Sequence, residues 1–106
     1  MAPSITLATD KVAPYLDSVR KDIPISAVYL FGSHAKGTAH KGSDIDIAII
    51  SPSFGKDRFA EGVSLQKYLW SSPYKKIDVV GYSPEDFKDT NSPLVAEILK
   101  FGIRIE

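Results

Sequence analysis

The sequence has no cysteine. Disulfides, iron–sulfur clusters and thiolate zinc sites are therefore excluded. It has only two histidines, His34 and His40, too few for a multi-histidine metal site within one chain. It also has no net charge, because 13 basic and 13 acidic residues cancel. A neutral chain offers no global attraction to nucleic acid or to an anionic membrane, so stable nucleic-acid binding is not expected. No apolar run approaches the roughly 20 residues that span a bilayer. Residues 1–7 lack the basic and long apolar regions of a signal peptide, and the expected location is cytoplasmic. The composition itself, 43% hydrophobic and 25% charged, is that of a folded globular chain and argues against disorder. A length of 106 residues predicts a single domain, 1–106, with a thin core that a partner chain could partly cover.

Hydrophobic periodicity then orders the elements. Val12, Tyr15, Leu16 and Val19 recur at helical spacing and predict a helix over about 9–21. Pro14 fits poorly inside it and is better placed in a first turn, so the helix is expected to start late. Residues 25–31, rich in β-branched and aromatic side chains, read as a strand. A short helix or turn follows to Lys36, and Gly37 breaks it. The run 44–50 is the least ambiguous strand. A helix of imperfect periodicity is expected over 57–70, with Phe59, Val63, Leu69 and Trp70 among its apolar positions. Residues 76–82 read as a third strand. Ser92, Pro93 and Gly102 mark the cap, first turn and stop of a last helix whose apolar stripe is Val95, Ile98 and Leu99. Residues 103–105 read as a short edge strand. The order predicts an α/β (α+β) sandwich, a small sheet with helices on one face or both. Tyr68, Trp70, Tyr74 and Tyr82 are each expected in the core, with a partner interface as the other use.

The chemistry starts with carboxylates. Asp44 and Asp46 stand two apart on a predicted strand and so share a face, opposite Ile45, Ile47 and Ile49. Two like charges so close are costly, and a hard divalent cation such as Mg²⁺ or Mn²⁺ offsets that cost. Asp78 repeats the pattern between Ile77 and Val79. A third carboxylate beside the pair would complete a two-metal site for phosphoryl or nucleotidyl transfer. Against this, an isolated Asp-x-Asp at a strand start is more often turn chemistry. Gly32-Ser33 ends the first strand, where glycine allows close backbone approach and helix N–H groups with the Ser33 hydroxyl can meet a phosphate. An isolated Gly-Ser is more often a helix cap.

Spacing turns these into a constellation. Gly32-Ser33, ten residues, then Asp44-Ile45-Asp46 resembles the signature of the minimal nucleotidyltransferase family, within the DNA polymerase beta nucleotidyltransferase superfamily. Ala35, Gly37 and Ser43 match its recurring small residues, Asp78 matches its third carboxylate, and residues 93–105 resemble its ending. Position 36 is often arginine in the family and is Lys36 here, which keeps the charge and loses the planar fork.

The resemblance implies a nucleotidyltransferase fold with a small mixed sheet flanked by helices, ATP as substrate and two Mg²⁺ ions, with Mn²⁺ as a substitute. It implies Asp44, Asp46 and Asp78 as catalytic metal ligands, with Asp78 also helping to activate the attacking hydroxyl. It implies Gly32 and Ser33 on the terminal phosphates, and Lys36, Lys41 and Ser43 as softer phosphate or acceptor contacts. Stand-alone members resemble antitoxins of type VII-like pairs, whose partner is a HEPN ribonuclease toxin that receives AMP on a tyrosine. Two alternatives stand beside this expectation. One is an antitoxin that neutralises its partner by contact alone. The other is a nucleotidyltransferase acting on a small antibiotic-like hydroxyl compound.

Overall fold

The computed structural model describes residues 3–40 and 42–106, without the side chains of residues 3 and 4. The first two residues of the leader reading, and Lys41 among the phosphate candidates, lie outside the described residues. The elements run α1 (Pro3–Arg20), β1 (Ala27–Phe31), α2 (Ser33–Lys36), β2 (Ile45–Ile50), α3 (Arg58–Leu69), β3 (Ile77–Tyr82), a 3₁₀ turn (Asp86–Lys88), α4 (Pro93–Phe101) and β4 (Ile103–Arg104). They form a four-stranded sheet in the order β3-β2-β1-β4. β1 is antiparallel to β2 and β4, whereas β2 and β3 are parallel. The sheet is thus mixed, as expected.

Both faces of the sheet are covered, and the strand alternation shows why. Val28, Leu30, Ile45, Ile47, Ile49 and Ile77 point to one side, where Val12, Tyr15, Leu16 and Val19 of α1 and Leu65 and Leu69 of α3 complete a core. Ala27, Phe31, Ala48 and Ile50 point to the other, against Phe87 and Val95 and Ile98 of α4. The Tyr15 hydroxyl donates to the Leu65 carbonyl at 2.8 Å and ties α1 to α3 inside the first core. Asp57 caps α3 by accepting from the Ala60 N–H, and Ser92 caps α4 by accepting from the Val95 N–H, with Pro93 in the first turn.

Several boundaries differ from the sequence reading. α1 begins at Pro3, six residues before even the earlier of the two starts the sequence suggests, and carries Pro14 in its interior. Pro14 is exposed, so the carbonyl that loses its helical donor there faces the solvent side, where water can replace the bond. β1 starts at Ala27 rather than residue 25, and β3 at Ile77 rather than residue 76. Asp44 falls just before β2 instead of on it. Trp70, expected in the core, is exposed, as are Phe59, Val63 and Leu99, whereas Tyr82 is buried and Tyr68 and Tyr74 are half-buried.

Candidate active site

The site forms where three strand ends meet. Asp46 is the second residue of β2 and Asp78 the second of β3, and the parallel register sets them directly opposite one another. Neighbouring strands lie about 4.8 Å apart, so the two carboxylates share one face at nearly the closest separation a sheet allows. On the antiparallel side Phe31 pairs with Asp46, which brings the end of β1 to the same point. The residue after it is Gly32. A side chain there would place its Cβ 2.1 Å from Oδ2 of Asp46, so only glycine lets the turn close over this carboxylate. Gly32 also holds φ 71° and ψ −150°, a conformation essentially reserved for glycine.

Asp46 is half-buried, while Asp44 and Asp78 are exposed. Burial pushes the Asp46 carboxyl above its usual range, and the charges of Asp78 and then Asp44 push it further the same way. His34 acts in the opposite sense, and Glu97 adds a smaller upward push. The three aspartates expected from the sequence therefore act on one another electrostatically, with Asp46 at the centre. Among the described residues no group of three or more His, Asp or Glu side chains is already drawn into a cage for a metal. The donor set still fits a hard divalent cation. It is all carboxylate oxygen, and the repulsion that raises the Asp46 proton affinity is what a cation between the groups relieves.

Gly32 is also the N-cap of α2, and no side chain caps that turn. The first N–H groups of a helix have no partner within it, and those of α2 follow directly on Gly32, which closes against Asp46. Ser43 serves the approach to Asp44. Its N–H donates to the His40 carbonyl and its hydroxyl accepts from the His40 N–H, each at 3.0 Å. The expected phosphate contact from Ser43 therefore competes with a turn-forming role, although its hydroxyl proton can still be donated. Lys36 reaches toward α4, pairing with Glu97 at 3.2 Å and lying over the Phe101 ring.

Three neighbours were not singled out in the sequence. His34 lies inside the motif, and its Nδ1 is buried without a hydrogen-bond partner. Lys76 precedes Asp78 by two residues, and its ammonium donates to the Gly42 carbonyl at 3.3 Å. It ties the loop before Asp44 to the start of β3. The spacing of Lys76 from Asp78 was visible. Glu97 was not traceable, because only the packing of α4 brings it here.

The family model described as the nucleotidyltransferase domain matches residues 13–105. The protein adenylyltransferase MntA of Shewanella oneidensis (strain MR-1) is 50% identical over 85 residues, which cover 79% of this chain and 56% of that protein. The probable protein adenylyltransferase MntA of Haemophilus influenzae (strain Rd) is 29% identical over 91 residues, covering 80% and 75% respectively. The chain thus spans little more than half the length of the Shewanella relative. A crystal structure of a toxin–antitoxin with AMP-PNP superposes with a TM-score of 0.65 at 27% identity, covering 92% of this chain and 72% of the other. With the family match running from within α1 to the residue after β4 and enclosing Gly32, Ser33, Asp44, Asp46 and Asp78, this chain belongs to the nucleotidyltransferase domain family.

Proposed function

We propose that this chain works as a single minimal cytoplasmic domain that transfers AMP from ATP to a protein hydroxyl. The acceptor we assign is a tyrosine of a HEPN-type toxin, which makes the chain an antitoxin. The observation that carries the reading is the opposed pair Asp46 and Asp78 with Gly32 closed against Asp46. In this reading the N–H groups at the start of α2 and the Ser33 hydroxyl bind the terminal phosphates and place the α-phosphate over the aspartates. The acceptor oxygen attacks the α-phosphorus and its proton passes to the Asp78 carboxylate. The bond from the α-phosphorus to the bridging oxygen breaks, and pyrophosphate leaves with that electron pair. Asp44, Asp46 and Asp78 would hold two Mg²⁺ ions, or Mn²⁺, which supply positive charge for the attacking and leaving oxygens.

A protein acceptor is favoured by the shape of the site. Asp44 and Asp78 are exposed, so the carboxylates form an open ledge that a side chain of a folded partner can reach. The Shewanella relative, a protein adenylyltransferase, supports a protein acceptor, and the toxin–antitoxin structure with AMP-PNP supports an ATP-like nucleotide and a toxin partner.

The test uses ATP labelled on the α-phosphate, Mg²⁺, host-cell extract and either the wild type or the Asp44→Asn/Asp46→Asn double variant. A labelled protein band with the wild type alone is expected, and γ-labelled ATP should leave that band unlabelled. No wild-type-dependent label on any protein would sink the reading in favour of neutralisation by contact or a small-molecule acceptor.

A further inference from the structure

Asp44 is exposed and falls one residue before β2, outside the ladder that fixes Asp46 and Asp78. Among the described residues no hydrogen bond or ion pair holds its carboxylate. Its place therefore depends on the backbone either side of it, and Lys76 meets that backbone twice. On the strand side the Ile45 N–H donates to the Lys76 carbonyl at 2.9 Å. On the loop side the Lys76 ammonium donates to the Gly42 carbonyl at 3.3 Å. One residue thus grips positions 42 and 45, and Asp44 lies between them. The footing of the grip is firm, because Ile77, next along the chain, is buried in the core as the register partner of Ile45. The turn at 40–43 is closed from within, by the Ser43 N–H on the His40 carbonyl and the His40 N–H on the Ser43 hydroxyl. Those two bonds fix the shape of the turn, whereas the ammonium fixes its place on the sheet. Gly42 presents its carbonyl from φ 89°, in the left-handed region that favours glycine, and a Cβ there would already touch the ammonium at 3.7 Å.

We propose that Lys76 is a positioning residue of the transfer reaction. Its ammonium pins the turn at 40–43 to the start of β3 and so sets Asp44 beside Asp46 and Asp78. The role rests on the nucleotide transfer proposed above and deepens it, since Lys76 acts through Asp44 rather than on the reacting atoms. The neighbouring lysine separates this role from general stability. The Lys75 ammonium donates to the carbonyls of Leu69, Trp70 and Ser72, at the C-terminal end of α3. Two adjacent lysines therefore tie down two different segments, one at the end of a helix and one at the entrance to the carboxylates.

Lys76→Met keeps the aliphatic stem and removes the donor, whereas Lys76→Arg keeps a donor. By hydrogen exchange, the Ser43 amide of Lys76→Met should exchange about fivefold or more faster than that of the wild type, with core amides unchanged. In transfer of α-labelled AMP, kcat should fall about tenfold, less than the roughly 100-fold cost of a 1 Å misplacement, because Asp44 is loosened and not removed. The Mg²⁺ concentration for half-maximal rate should rise about threefold or more, since Asp44 is a metal ligand in this reading. The KM for ATP should stay within about twofold of the wild type, as expected of a residue that does not touch the nucleotide. Lys76→Arg should recover most of the rate and the slow exchange. Lys75→Met should lower the melting temperature and leave Ser43 exchange and transfer near wild type at a temperature where the variants are folded. Ser43 exchange equal to the wild type in Lys76→Met overturns the proposal, as does an equal loss of transfer in Lys75→Met. A raised KM for ATP at unchanged kcat overturns it as well and makes Lys76 a nucleotide contact. A wild type that labels no protein defeats the acceptor reading instead, and Ser43 exchange then decides by itself whether Lys76 holds the turn.

Discussion

Replacing Gly32 by alanine separates two effects that this position combines. The first is backbone strain. At φ 71° and ψ −150° a residue with a Cβ is held in a region that costs about 1–3 kcal/mol. For a chain of this size that lowers the melting temperature by roughly 5–20 °C. The second is collision. The new methyl carbon would stand 2.1 Å from Oδ2 of Asp46, 3.0 Å from its Cγ and 3.3 Å from its Cβ. The oxygen must retreat by at least about 1 Å to reach ordinary contact, and a displacement of that size at a reacting centre costs on the order of 100-fold in rate. Gly37 supplies the control. It has a similar φ of 76°, but a Cβ there meets nothing within 4 Å. Gly37→Ala should therefore lose stability while keeping most of its activity, whereas Gly32→Ala loses both. The assay pairs urea denaturation of each variant with initial rates of label transfer from ATP at a temperature where both remain folded. Gly32→Ala within about threefold of the wild-type rate, or a Gly37→Ala rate equally depressed, would refute the argument that the Gly32–Asp46 contact sets the carboxylate.

Asp46→Asn should cut transfer on the order of 1,000-fold, since it removes a group expected to anchor several kcal/mol of charge stabilisation. In metal-free buffer the same variant should change the pH profile of stability. Burial, with Asp78 and Asp44, makes the folded state bind the Asp46 proton more tightly than the unfolded chain does. Wild-type stability therefore falls as pH rises from about 4 through the raised value, and urea midpoints of Asp46→Asn should lack that decline. Parallel curves would disprove it. Tyr15→Phe loses the buried bond to the Leu65 carbonyl and should cost about 1 kcal/mol, seen as a melting temperature lower by roughly 4–8 °C. Burial also raises the Tyr15 phenol, so the wild type should lose stability above about pH 10 as the unfolded tyrosine ionises, and the variant should lose less. Lys36 and Glu97 form an exposed pair, so Glu97→Gln should change stability by less than about 1 kcal/mol. Lys36→Ala should raise the KM for ATP several-fold while Glu97→Gln leaves it near wild type, and equal KM values would remove Lys36 from the phosphate site.

The juxtaposition of Asp46 and Asp78 was legible because the sheet's alternation constrains it from both sides. Asp46 sits between Ile45 and Ile47, and Asp78 between Ile77 and Val79. Once Ile45 and Ile77 are buried as register partners in one core, the aspartates have to face the other way and meet each other. Gly32 was legible as a turn, yet its contact with Asp46 arises from the antiparallel pairing of β1 with β2, a long-range relation that no local pattern contains. The same holds for Glu97, which reaches the site only through the packing of α4. Ser43 and Lys36 matched their positions, but the hydroxyl helps close its own turn and the ammonium has found Glu97. The start of α1 was misread because Pro14 looks like a first-turn residue, and only its placement on the solvent side makes an interior position tolerable.

The imperfect periodicity of α3 has a different origin. Leu65 and Leu69 form one arc, which the core buries. Phe59, Val63, Gln66 and Trp70 form a second arc, offset around the helix, which the core of one chain does not use. A single apolar stripe cannot describe both, so a count of matches to one helical face scores the segment as poor. Taken as two stripes, it is regular. An amphipathic helix needs one apolar arc to join its own core, and the second arc of α3 is left exposed. The irregularity of the sequence pattern and the uncovered groove of the structure are therefore one observation.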